Sequence, residues 1–259
     1  MSTRSILCLV FLTGFMGFAC VQATPAETAA VPKQLDHGPF DALLRAHVKG
    51  DRLDYGALVN NSDLKAYVKL IGETDPTTLG SRDAKLAFYI NAYNALTITS
   101  VLSHWPGIKS VSNIKPDFTF FKEKIHRVGG TMVSLNAIEN EIIRPTFKDP
   151  RIHAALNCAS ISCPPLPNFA FTEKQLGKQL DRVFTAFAND NVRNQVDPKT
   201  GAVQLSKILD WYKVDFASAG GSAKYLSGFV TDPARKAALA SPKTTGFLAY
   251  DWQLNRLQK

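Results

Sequence analysis

Residues 82–104, RDAKLAFYINAYNALTITSVLSH, constrain the fold more than any other stretch of this chain. Leu86, Ile90, Tyr93, Leu96, Thr97 and Val101 recur every three to four residues, the spacing of one helix face. Ser81 stands where an N-cap belongs, and Pro106 follows the end. The other faces are mostly apolar as well, so the helix must be wrapped on all sides. This predicts a central buried helix. Asn91 and Asn94 share a face of it and admit two readings. Buried amides satisfy the backbone of neighbouring loops, or they donate hydrogen bonds into a cleft.

Shorter elements surround that helix. Residues 40–48 carry Phe40, Leu43, Leu44 and Val48 at helical spacing, and 64–71 read as a second helix. Residues 118–133 predict a hairpin, with one strand over 120–128, a turn at Gly129-Gly130 and a return over 131–133. Ser134 caps a helix with Leu135, Ile138 and Ile142 on one face and Glu139 just beside it. Thr172 to Gln175 has the form of a capping box opening a helix that turns Leu176, Leu180, Val183, Phe184 and Phe187 inward. A second hairpin spans 192–205 and turns at 197–201. Residues 206–216 and 223–230 look helical, Pro233 opens a last short helix, and 247–255 form a strand-like aromatic tail. The fold class expected is α+β: one mainly helical domain with a central buried helix and small antiparallel β-hairpins.

The chain of 259 residues is long enough to bury a sizeable core, and its 45% apolar and 20% charged content is that of a globular protein. The net charge is +8, but the basic residues are scattered. Without a basic block or a nucleic-acid motif, this charge does not point to nucleic acid. Arg4 before an apolar run at 6–19, too short for a comfortable membrane span, reads as a signal peptide. Val21-Gln22-Ala23 places cleavage after Ala23. The rival is lipidation at Cys20, for which Gly17-Phe18-Ala19 is a poor lipobox. The expected organisation is therefore a signal peptide over 1–23, a flexible leader over 24–36 and a globular domain over 37–259. The mature protein would be periplasmic or secreted, with no transmembrane segment after cleavage.

Cleavage would leave two cysteines, Cys158 and Cys163, in DPRIHAALNCASISCPPL (149–166). A close pair in an oxidising compartment reads first as a disulfide. The alternative is chemistry. Residues 152–158 have strand character, and period two would turn Cys158 into the core and His153 the other way. Asn157 would then lie about 13 Å from His153 along the strand. It could not orient the imidazole, which leaves Glu139 or Asp251 to do so. Cys163, after a Ser-rich turn, would be the more accessible thiol. A thiolate beside an imidazole is the working pair of cysteine hydrolases. The candidate catalytic set is therefore His153, Cys163, Asp251 and Glu139, with Asn91, Asn94, Asn157 and Tyr250 as substrate-binding candidates. The sequence lacks GxGxxG, a Walker loop, HExxH and CxxC, and its histidines have no metal-site spacing with the cysteines. No cofactor or metal is expected, and the ligand class is an unnamed small molecule or peptide. Nothing in the sequence speaks to oligomeric state.

Four blocks resemble one known family: AFYINAYNALTI (87–98), SLNAIENEIIR (134–144), RIHAALNCASISCPPL (151–166) and FLAYDWQLN (247–255). In this order they resemble the DUF547 family and span nearly the whole expected mature chain. The resemblance implies an α+β domain without an established activity, and places His153 in the family's signature. Plant members carry other residues where Cys158 and Cys163 stand. That implies a disulfide or a local specialisation rather than a thiol centre common to the family. Two functions follow: thiol-dependent hydrolysis of an amide or thioester, or a non-catalytic envelope domain that binds a ligand or protein around a structural disulfide.

Overall fold

The computed structural model describes residues 35–258. The expected signal peptide, its cleavage site, Cys20 and nearly all of the expected leader lie outside the described residues. The long helix runs Arg82–Leu102, and the Ser81 hydroxyl accepts a hydrogen bond from the Ala84 N–H at 3.0 Å. Leu86, Phe88, Ile90, Leu96, Ile98 and Val101 are all buried, on every side of the helix. Burying side chains of this size stabilises the fold by roughly 1.5–3 kcal/mol each. Helix Ser62–Glu73 packs between this helix and helix Gly38–His47, and Phe40 stacks on Tyr67 with ring centroids 4.8 Å apart. Helix Leu176–Asn189 buries Leu176, Leu180, Val183, Phe184 and Phe187, the expected face. Helix Pro233–Ala240 opens on its proline. Among the described residues no helix is long and apolar enough to cross a membrane.

The strands are short. β1 (Val48–Lys49) pairs with β2 (Arg52–Leu53), β3 (His126–Val128) with β4 (Thr131–Val133), and β5 (Gln195–Asp197) with β6 (Ala202–Leu205), all antiparallel. Gly129 and Gly130 turn the second hairpin at φ +57° and +82°, a left-handed conformation that glycine adopts without a Cβ clash. β7 (Thr244–Phe247) then adds to β6 in parallel. The architecture is mainly helical α+β with small sheets.

Four local expectations are corrected in detail. The strand expected over 120–128 is only His126–Val128, because Thr119–Lys122 forms a helical turn that buries Phe120. The capping box does not form. The Thr172 side chain caps nothing, and the Thr172 N–H goes to Gln179 Oε1 at 2.9 Å instead of to Gln175. The helix therefore starts only after a 3₁₀ turn, Glu173–Gln175. The segment 206–216 is divided between a helical turn, Ile208–Trp211, and a 3₁₀ segment, Lys213–Ala219. The C-terminal tail leaves its strand at Phe247 and crosses the 159–161 loop as irregular chain. There Ile161 N–H donates to Gln253 O at 2.8 Å, and Asn255 N–H to Ala159 O at 2.9 Å. Its polar backbone is satisfied through isolated bridges to Ser110, Ser160 and the β2 residue Leu53 rather than by one continuous strand, and Tyr250 and Trp252 pack against Trp211.

Candidate functional site

The segment around His153 is not a strand. Asp149 caps a 3₁₀ turn, Pro150–Ala154, by accepting the Arg151 N–H at 3.0 Å. A capping Asp followed by Pro in the first helical position starts a helical turn, so two-residue alternation never applies. The expected orientations are accordingly reversed. Cys163 is the enclosed thiol at 3% exposure, while Cys158 is partly exposed. Both are free thiols.

The central helix positions this loop through its two amides. Asn94 Nδ2 donates to Ala155 O at 2.9 Å, and its Oδ1 accepts Asn157 N–H at 2.9 Å. Asn91 grips Phe171 in the same way, at 2.7 and 2.9 Å. Asn157 donates to Pro164 O and accepts the Ala159 N–H, both at 2.9 Å. The three asparagines thus serve the backbone and do not line the cavity described next. Arg193 closes the loop from the other side, donating to Cys163 O at 2.8 Å and to Ile161 O at 2.7 Å.

A cavity of about 620 Å³ opens beside this loop, and His153, Cys158, Cys163, Glu139 and Tyr250 all line it. Asp251 does not: its carboxylate accepts Gln253 N–H at 2.8 Å within the tail. The group that orients His153 is instead Asp215, whose Oδ2 lies 2.7 Å from Nε2. Arg144 grips the same carboxylate with two N–H groups at 2.7 and 2.8 Å. Burial works to raise the Asp215 pKa, but the hydrogen bonds from His153 and Arg144 outweigh it and hold the carboxyl well below the usual range. The His153 ring stacks on Tyr212 at 4.1 Å. Its Nδ1 is buried without a hydrogen-bond partner. With Nε2 taken by Asp215, Glu139 is not the orienting group; it stands on the cavity wall against the Tyr212 phenol.

Glu139 reaches the cavity from a π-helical segment, Ile138–Ile143, the kind of helix bulge that often marks functional sites. Along that wall a hydrogen-bonded row runs from Asn136 through Asn140 to Arg144 at 3.0 and 2.8 Å, and so to Asp215. Opposite it, Trp211, Tyr250 and Trp252 form an aromatic wall.

The two thiols differ in electrostatics. A hydrogen bond from the Cys163 thiol, opposed by burial and helped by the Ser160 and Tyr250 hydroxyls, brings Cys158 down to about 7. Both hydroxyl oxygens lie 3.1 Å from its sulfur. Burial pushes Cys163 well above the ordinary thiol value. Its sulfur accepts the Cys158 N–H at 3.0 Å and faces Leu156 O at 3.7 Å. Among the described residues, no cluster of His, Cys, Asp and Glu could hold a metal ion.

The model of a family described as "Protein of unknown function, DUF547" matches residues 77–188. The chain carries a DUF547 domain. No curated protein and no solved structure matches it. The DUF547 match takes in the central helix, Glu139 and the loop from His153 to Cys163. It ends before Tyr212 and Tyr250, which line the cavity, and before Asp215, which holds His153. Sequence reading missed Asp215 and Tyr212, and read Tyr93 only as part of an apolar helix face although it lines the cavity. No local pattern marks Asp215, which lies 62 residues from its histidine.

Proposed function

We propose that this DUF547 protein is an exported, thiol-dependent acyl-transfer enzyme that hydrolyses an amide or thioester bond. Cys158 is the nucleophile, His153 the base and Asp215 the group that orients it. Export rests on the apolar run behind Arg4. The observation that carries the chemistry is the state of His153. Its Nε2 is tied to Asp215 at 2.7 Å, its buried Nδ1 has no partner, and the residue lines the same cavity as Cys158. Buried polar atoms are almost always paired, and a base awaiting a proton accounts for one that is not. Asp215, accepting from Nε2–H, leaves the lone pair on Nδ1.

In this reading His153 takes the Cys158 proton through one cavity water, since neither ring nitrogen touches the sulfur directly, and the thiolate adds to the substrate carbonyl carbon. The Tyr93 hydroxyl, on the same wall, is a donor for the oxyanion. The leaving amine or thiol departs with the proton from His153. Water, deprotonated by the same ring, then releases the acid and restores the thiol.

The test uses p-nitrophenyl acetate and an S-phenyl thioester as acyl donors, following chromophore release and intact mass. The wild type should acquire an acyl group on Cys158. Cys158→Ser should acquire none, and His153→Ala should be slower by roughly 10²–10⁴-fold. Acylation that persists unchanged in Cys158→Ser would refute the reading. Absence of acylation in the wild type would leave a ligand-binding domain built around the aromatic wall.

A further inference from the structure

The acyl-transfer reading leaves Cys163 without a task, and three features give it one. First, the enclosed sulfur lies directly behind the reactive one. The Cys158 N–H donates to Cys163 Sγ at 3.0 Å, which brings the buried sulfur against the backbone of the reactive residue. Second, two hydroxyls converge on the Cys158 sulfur, one from buried Ser160 and one from Tyr250 on the cavity wall. Ser160 Oγ and Tyr250 Oη are each 3.1 Å from it and 2.8 Å from one another. Third, Trp211, Tyr250 and Trp252 form one aromatic wall of the cavity, with Asp117, Lys122 and Glu139 elsewhere in its lining. A partly exposed thiol with stabilising donors, backed by a buried second thiol, is the arrangement of a peroxidatic cysteine and its resolving partner.

We propose that Cys158 and Cys163 form a two-cysteine centre that reduces an apolar organic hydroperoxide. The Cys158 thiolate attacks the terminal oxygen of ROOH. An S–O bond forms, the O–O bond breaks and RO⁻ leaves. The sulfur becomes a sulfenic acid by loss of two electrons. RO⁻ takes up the proton that Cys158 shed on ionising and departs as the alcohol, with the Ser160 and Tyr250 hydroxyls stabilising the developing charge. Cys163 then attacks the Cys158 sulfur. The S–S bond forms, the S–O bond breaks, and the hydroxide leaves as water with the Cys163 proton. Two thiols and one hydroperoxide thus give a disulfide, an alcohol and water. The aromatic wall selects the organic group R, because burying apolar surface there favours it over a hydrogen.

The inference shares its sulfur with the acyl-transfer reading but does not depend on it. Acylation without peroxide reduction would sink this proposal alone; peroxide reduction without acylation would sink only the other. The experiment takes the purified, reduced full chain and adds cumene hydroperoxide or hydrogen peroxide, following peroxide consumption, free thiols and intact mass. One equivalent of cumene hydroperoxide should remove both Cys158 and Cys163 thiols, with the mass falling by two hydrogens. It should react roughly tenfold faster than hydrogen peroxide, as burial of part of an aromatic ring allows. Cys163→Ser should stop at a sulfenic acid on Cys158 that dimedone traps, and Cys158→Ser should consume no peroxide. A wild-type rate no faster than that of free glutathione would overturn the proposal. So would peroxide consumption retained in Cys158→Ser. Hydrogen peroxide reacting as fast as cumene hydroperoxide would overturn the assignment of substrate class.

Discussion

Asp215 Oδ2 lies 2.7 Å from His153 Nε2, and the same oxygen accepts the Arg144 Nε–H at 2.7 Å. One carboxylate, on the 3₁₀ segment Lys213–Ala219, therefore joins the π-bulged helix and the His153 turn, more than sixty residues earlier in the chain. It orients the imidazole and at the same time compensates a partly buried guanidinium.

That double role makes part of the stability acid-sensitive. The Asp215 carboxyl is held below its ordinary value, so its contribution is complete above about pH 4, the unfolded-state carboxylate value, and is lost as the pH falls below it. The melting temperature of the wild type should drop more steeply than that of Asp215→Asn as the pH is lowered from about 4 to about 2. Thermal unfolding followed by circular dichroism measures both. Parallel curves would show that Asp215 is not held in the folded state.

Asn94→Leu should destabilise the protein. The change orphans Ala155 O and Asn157 N–H, and a buried group left unpaired costs about 1–3 kcal/mol. Urea unfolding should show a lower midpoint with an unchanged slope. A wild-type midpoint would mean that water replaces both bonds.

Cys158 should alkylate with iodoacetamide in the native protein at a rate that rises through pH 7, and Cys163 should stay unlabelled until unfolding. The cause is the hydrogen bond from Cys163, opposed by burial and supported by Ser160 and Tyr250, which brings Cys158 down to about 7. Tyr250→Phe removes one donor, so the midpoint of the pH–rate curve should move upward. Peptide mapping after quenched alkylation distinguishes the two thiols. Faster labelling of Cys163 than of Cys158 would contradict the geometry.

Arg193→Met should loosen the reactive loop. Arg193 is buried, donates to Cys163 O and Ile161 O, and pairs with Asp190. Removing one partner of a buried ion pair costs roughly 3–5 kcal/mol. The loss should appear as a lower urea midpoint and as native-state labelling of Cys163. A stable variant with Cys163 still protected would show that the tail crossing at Ile161 and Asn255 suffices to hold the loop.

Some of this molecule is legible in its sequence. A stretch apolar on every face has nowhere to go but the interior, so residues 82–104 announce the central helix, and Ser81 and Ser134 announce its cap and that of the next helix. Gly129-Gly130 marks a hairpin turn because only glycine takes that backbone freely. The inward face of helix Leu176–Asn189 follows from spacing alone. These are local statements, determined by neighbours within a turn or two.

The site is different. Which cysteine is the more exposed depended on whether 152–158 was extended, and Asp149-Pro150 turned it into a 3₁₀ segment before any alternation could begin. The carboxylate for His153 came from Asp215, and the hydroxyl beside Cys158 from Tyr250, 92 residues on. Asn91 and Asn94 could be placed on one face from the sequence, but only the packed loops determined that their amides bind backbone rather than ligand. A hydrogen bond across such a span leaves no trace in local composition. It exists because the hydrophobic core brings distant segments within about 3 Å of each other, where directional polar groups select their partners.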